Sequence, residues 1–470
     1  MTSNYTPPRS WNTVIGRPYV TVSASTTYDG SDYGAFTPGT TTSGIQEALT
    51  ALEGTGGKVF IKPGIYQVNS AMTYTSFFPV EICGIWANDS ENGTTLTGAW
   101  GTFIQPGSSF PTDSYLLTVN GASSSNGGRL YLHDVEFLGW KVDAGGTIPD
   151  GGNASVYGVS FGNNIVACRL ENIKFEGLGL ALNAESGGGP MFFDHLHFAN
   201  CGGTSSSPTN ETVNLSMNSA FFSNCEFYAG YVTQHILQQN GTSLTMENCH
   251  FYGNLSGTAT ASDAMTLYSS DQVAISNCYF DNYKSYVIVI GGTPSVLSVV
   301  NCRVGGKTGS QSPFILFNSS PSTPITVSLA NIHLTDYNTL LEVSSGLTFP
   351  AGSTLTGKGI HIIGSDSGIG LTSYPSNFVM NIELATPLGF GITSPSVPAS
   401  GTAQVNTFPF PVRVYLLTGG TGTAFTLTDP AGNAKSVTAT LLAGMEWTLD
   451  PGASITLTYS TAPTWAWYGI

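Results

Sequence analysis

"LTMENCHFYG" (residues 244–253) and "VAISNCYFDN" (273–282) share one pattern: apolar, any, apolar, any, Asn-Cys, any, Phe. The same pattern is legible in weaker form along the chain. It runs through "LYLHDVEF" (130–137), "CRLENIKF" (168–175), "MFFDHLHF" (191–198), "AFFSNCEF" (220–227), "LSVVNCRV" (297–304) and "VSLANIHL" (327–334). The steps between units vary from 23 to 38 residues. Turns of roughly constant size with variable loops give such steps, and a solenoid is built that way.

Alternating apolar positions make each unit a strand with one buried face. Parallel stacking at about 4.8 Å per rung turns aligned positions into columns. One column is Val135, Ile173, Leu196, Cys225, Cys249, Cys278, Cys302 and Ile332, so the thiols are expected to act as small buried hydrophobes. The preceding column is Asp134, Asn172, His195, Asn224, Asn248, Asn277, Asn301 and Asn331. Amides at a bend can hydrogen-bond to the rungs above and below, and Asn tolerates left-handed backbone. The motif thus predicts architecture: an Asn ladder beside an apolar stack.

Residues 32–68, "DYGAFTPGTTTSGIQEALTALEGTGGKVFIKPGIYQV", carry a further signal. Ile45, Ala48, Leu49 and Leu52 have helical spacing, and Gly56-Gly57 ends the predicted helix 43–53. With the "YGA" strand before it and "GGKVFIKPGIY" after it, this stretch resembles the pectate-lyase superfamily. The resemblance implies an all-β fold: a right-handed single-stranded parallel β-helix over residues 28–370, with helix 43–53 covering its open end. A Pro/Ser/Gly-rich stretch, "TSPSVPASG" (393–401), marks a linker placed at 371–400. Short alternating segments separated by "DPAGN" and "DPGA" then predict a small β-sandwich at 401–470. Its ending, "APTWAWYGI", puts Trp465, Trp467 and Tyr468 together as a core cluster, a subunit interface or a sugar platform.

The order of parts, with an N-terminal segment 1–27 first, is similar to viral tailspikes and fibres. That resemblance implies a homotrimer, attachment to a virion baseplate or tail through the N-terminal segment, and a cell-surface polysaccharide as binding partner and possible substrate. A non-catalytic adhesin or structural spike is the alternative, and a secreted polysaccharide hydrolase or lyase is the third reading.

Composition narrows the partners. Only 9% of residues are charged and the formal net charge is −15, with no Lys/Arg cluster, so no nucleic acid partner is expected. No apolar run is long enough for a membrane span, and the N-terminus lacks the pattern of a signal peptide, so a virion or extracellular location without ordinary secretion is expected. Seven cysteines without CxxC spacing predict neither a disulfide framework nor a zinc site, and no cofactor is expected.

Two outward columns could carry chemistry. Glu171 and Asp194 fall on adjacent rungs, and two unpartnered carboxylates there would repel and raise one pKa, which suits a glycosidase acid. The other column runs Glu136, Lys174, His197, Glu226, His250, Tyr279, Arg303 and His333, with Tyr228 and Tyr252 just beyond. From these come the expected catalytic residues Glu171, Asp194 and Glu226, and the expected substrate contacts His197, His250, Tyr228 and Tyr252. Hydrolysis is favoured over lyase chemistry because no Asp cluster resembles a calcium cage and few Arg lie in the coils.

Overall fold

The computed structural model describes residues 18–76, 78–86, 101–122, 128–140, 153–162, 165–184, 189–202, 209–228, 232–241, 243–253, 263–268, 271–283, 286–292, 294–305, 313–335, 339–344, 346–363, 378–384, 390–408 and 410–470. Most of the N-terminal segment 1–27 therefore lies outside the described residues. The chain divides into two compact units, Met1–Thr242 with Ser256–Thr260, and Ser243–Leu255 with Ala261–Ile470.

In the first unit a strand runs through the bend, unbroken in Gly128–Leu138, Ile165–Glu176 and Pro190–Ala199 and elsewhere split into one before and one after it, and a further strand follows on the return. Ser219–Ser223, Glu226–Tyr228 and Val232–Asn240 are one such set. Successive coils pair in parallel and in register: Leu132 with Leu170, Leu170 with Phe193, and Phe193 with Phe222. The second unit repeats the scheme through Ser243–Glu247, Gln272–Ser276, Val296–Val300, Thr326–Ala330 and Ser353–Ile363. The chain is a right-handed parallel β-helix followed by small antiparallel sheets.

The bend is where the repeat acts. All eight residues of the Asn column have positive φ, from 50° at Asn172 to 59° at Asp134. Left-handed backbone costs most side chains about 1–2 kcal/mol, and Asn and Asp least, since their short polar groups bond locally. Within the first unit Asn172 Nδ2 donates to Asp134 Oδ1 at 3.2 Å. Within the second, Asn301 donates to Asn277 at 3.2 Å and Asn331 to Asn301 at 2.9 Å. The amides face outward, and those from Asn224 to Asn331 are exposed.

The next residue turns inward. Cys225, Cys249, Cys278 and Cys302 are free and at most 2% exposed. Each thiol donates to the carbonyl two residues back, across the bend, at 3.2–3.4 Å. This weak bond is the advantage of Cys over the Ile or Leu that fill the same position elsewhere. The Phe two residues later stacks on its neighbour: Phe137, Phe175, Phe198 and Phe227 have successive centroid separations of 5.5, 5.3 and 4.7 Å. Phe251 and Phe280 do the same at 5.0 Å.

The helix spans Ile45–Leu52 and buries Ile45, Ala48, Leu49 and Leu52. Gly56, with φ 67°, closes it by donating from its amide to the Leu52 carbonyl at 2.7 Å. Gln46 accepts the Thr73 N–H at 2.7 Å and donates to the Thr73 carbonyl at 2.9 Å. A side-chain amide thus pairs with the terminal strand of the return sheet as a neighbouring backbone would, which blunts an edge open to other chains.

Two boundaries differ from expectation. Coils continue past residue 370: Phe378–Leu384 pairs with Ser353–Ile363 although it has no Asn-Cys motif. Gly359, with φ 67°, holds the bend position beside Asn331, so a residue without a side chain ends the ladder and hides the repeat. The stretch expected as linker is also partly built in. Phe390–Gly391 pairs with the last strand, Ser394 Oγ accepts the Trp467 N–H at 2.8 Å, and the Pro395 carbonyl accepts Trp465 Nε1 at 2.8 Å. The terminal β domain therefore starts near Phe390. Trp465 and Trp467, 7% and 1% exposed, form its core within a single chain.

Candidate functional site

Lys174, in the strand after the Asn172 bend, lies between two carboxylates. Its Nζ is 2.8 Å from Glu176 Oε2 and 3.6 Å from Glu136 Oε1. Lys174 and Glu136 are register partners on adjacent rungs, and Glu176 follows two residues along the same strand. Such outward positions are normally wet, yet all three residues are at most 5% exposed. Trp140 lies against Gly177, the residue after Glu176. Gly177 has φ 65°, and a Cβ there would lie 1.2 Å from the Trp140 ring, so only glycine lets the indole lie against the chain beside Glu176.

One ammonium neutralises one carboxylate. Glu176 makes the close ion pair and leaves Glu136 the costlier site for a second buried negative charge. Burial pushes the Glu136 carboxyl up, against the pull of Lys174 and with repulsion from Glu176 adding to it, to about 8. A carboxyl of raised pKa beside a second carboxylate is the pairing a glycosidase uses.

The column continues on the next rungs. His197 is the register partner of Lys174, and Glu226 of His197. Burial and then the Lys174 charge depress His197 to about 4, so its imidazole is neutral at pH 7. Its Nε2 lies 3.9 Å from Glu226 Oε2, and the Glu226 side chain is half exposed. Tyr228, 48% exposed, follows on the same strand. The sequence thus brought His197 and Glu226 together correctly. It placed Glu136 and Lys174 in the column but gave no sign of their burial.

Glu171 and Asp194 are register partners, as the alignment required. Neither is unpartnered, however. Glu171 Oε2 accepts the Tyr131 hydroxyl at 2.7 Å and lies 2.9 Å from the Arg169 guanidinium. Asp194 Oδ1 accepts Ser223 Oγ at 2.8 Å and Asn224 Nδ2 at 2.9 Å, with His195 Nδ1 at 3.1 Å. Burial alone would raise Asp194, but these donors and the His195 charge outweigh it and hold the carboxyl below its usual range. Asp194 is therefore not the expected raised acid; a sequence shows which carboxylates are neighbours but not which donors surround them.

His250 and Tyr252 belong to the second unit. Their rings lie 3.7 Å apart, and Tyr279 on the next rung is 4.6 Å from His250. Burial depresses His250 to about 4. Arg303 lies over the Tyr279 ring at 5.5 Å and is the register partner of His333.

The class this architecture defines is the right-handed parallel β-helix, and a family described as "Right handed beta helix region" matches residues 154–378. Among solved structures, the chain is similar to full-length tailspike protein 2 of Escherichia coli O157:H7 bacteriophage CAB120, at 9% identity and a TM-score of 0.50. That match covers 91% of this chain and 60% of that one, so the chain spans less than two thirds of the tailspike's length. The Dettilon tailspike protein matches at 11% identity over 93% of both chains, TM-score 0.44. DFA-IIIase from Arthrobacter chlorophenolicus A6 matches at 12% identity over 71% of this chain and 86% of that one, TM-score 0.44. No curated protein sequence matches the chain.

Proposed function

We propose that this protein is a virion spike that binds a cell-surface polysaccharide and cleaves it by hydrolysis, as a homotrimer attached through its N-terminal segment. The observation that carries the reading is the buried Glu136–Lys174–Glu176 triad, in which burial pushes the Glu136 carboxyl well above the usual carboxylate range. The two carboxyls share the Lys174 ammonium and lie within hydrogen-bonding reach of each other. Glu136 then protonates the departing glycosidic oxygen, and Glu176, beside Lys174, faces the developing positive charge. His197, neutral, and the exposed Glu226 and Tyr228 contact sugar beyond the scissile bond. Glu171 and Asp194, held in hydrogen bonds, position the neighbouring face.

The test uses purified full chain, a panel of surface polysaccharides, and new reducing ends as readout. Glu136→Gln should lower turnover by about 10²–10⁴-fold while polysaccharide binding persists. The rate of wild type should fall as pH rises past about 8, where Glu136 loses its proton. Full activity in Glu136→Gln and Glu176→Gln with loss in Glu226→Gln, or in Glu171→Gln and Asp194→Asn, would move the chemistry to those carboxylates. Binding without cleavage of any polysaccharide in wild type would make the protein an adhesin. Light scattering at a single-chain mass would remove the trimer.

A further inference from the structure

Cys83 differs from the cysteines at the bends. Ile82 on the same strand pairs with inward-facing Leu132, so Cys83 and its register partner His133 belong to the outer face. Even so, Cys83 is only 2% exposed. Glu81, two residues before it, points the same way. The Cys83 thiol, a Glu81 carboxylate oxygen and a His133 ring nitrogen all lie within 4.8 Å of one another.

We infer that Glu81, Cys83 and His133 form a binding site for a divalent transition metal of the zinc type. Thiolate, imidazole and carboxylate are the donor set zinc prefers, at bonds of about 2.0–2.3 Å. At tetrahedral angles such bonds separate nitrogen and oxygen ligands by roughly 3.3 Å. His133 Nε2 and Glu81 Oε1 are 3.2 Å apart. The outer shell is also in place. Asp134 Oδ2 lies 2.6 Å from His133 Nδ1, accepting that proton and leaving Nε2 toward the other two ligands. A carboxylate in that role fixes the tautomer and ring orientation of metal-bound histidines. Tyr131 stacks on the His133 ring at 4.3 Å and restrains it further. Metal entry displaces the Nε2 proton and the Cys83 thiol proton to solvent, and a fourth position stays open to water. Lys58 Nζ, 2.6 Å from Glu81 Oε1, is the competing cation.

Cobalt(II) is the probe, because thiolate ligation gives it a charge-transfer band. Chelator-treated full chain should bind one equivalent with that band, and zinc should displace it. Cys83→Ser should abolish the band, while Cys278→Ser, in the second unit, should keep it. Asp134→Asn should weaken metal affinity about 10–100-fold. Lys58→Gln should tighten it, because the competing ammonium is gone. Absence of the band in the intact chain, or an undiminished band in Cys83→Ser, overturns the site. If Cys83→Ser fails to fold by circular dichroism, Lys58→Gln decides: unchanged or weaker affinity overturns it. Neither result depends on polysaccharide cleavage, so this site and the Glu136 assignment stand or fall separately.

Discussion

At the scale of single residues, the Asn-Cys pair divides two tasks. Asn accepts left-handed backbone, and Cys fills a narrow inward position while bonding the carbonyl across the bend. The two tasks separate experimentally at Asn301 (φ 55°), which is exposed and bonded to both ladder neighbours. Asn301→Ala should cost about 1–2 kcal/mol, since alanine pays the full left-handed penalty. Asn301→Gly loses the same ladder bonds but adopts the bend freely, so it should cost less. Urea midpoints of the two variants make the comparison, and equal losses would assign the stabilisation to the ladder instead. The thiols should be inert. Hydrogen bonding to the adjoining thiols, and then burial, push Cys278 and Cys302 well above the usual thiol range. Ellman's reagent should therefore leave the bend cysteines unmodified at mildly alkaline pH and react with them only after denaturation.

At the scale of elements, the strand after the bend carries an unusual electrostatic load. His197 is depressed from 6.5 to about 4, so the unfolded chain binds its proton first as pH falls. Its neutral burial therefore contributes stability that is present above about 6.5 and lost as pH falls toward 4. Glu136 acts in the opposite sense: raised from 4.5 to about 8, it favours the fold most below 4.5 and progressively less as pH rises to 8. His197→Gln should accordingly flatten the acid limb of the stability–pH curve while leaving the neutral-to-alkaline slope in place. The cap helix is the second element with a separable role. Gln46→Ala leaves the Thr73 N–H and carbonyl without their side-chain partner and should cost about 1 kcal/mol. Replacing fully buried Leu49 with Asp should detach the helix and produce aggregation in light scattering, because a bare strand edge pairs with other chains.

At the scale of the whole molecule, the terminal β domain is the part most readily tested alone. Among the described residues its strands form two four-stranded sheets, each paired within itself, and Ser394 and Pro395 hydrogen-bond to its tryptophans. A fragment of residues 390–470 should fold with the blue-shifted tryptophan emission of a buried indole. A fragment starting at 401 lacks the partners of Trp465 and Trp467 and should be less stable or fail to fold. Equal stability of the two fragments would place the domain boundary where the linker composition first suggested it.

The β-helix, the inward thiols, the cap helix and the register of its columns were determined by sequence alone, because each is written as a short period repeated many times. A rung spacing of a few ångströms leaves little freedom once the period is known, so Glu171 beside Asp194 and His197 beside Glu226 followed directly. What surrounds those neighbours did not follow. A Lys lies buried between two carboxylates, and Ser223, Asn224 and His195 quiet Asp194. Glu81 and Cys83 meet a histidine fifty positions away in the chain. These features depend on burial and on contacts between distant segments, which set dielectric and hydrogen bonding. Only the tertiary structure decides them, and with them which of the carboxylates keeps a proton.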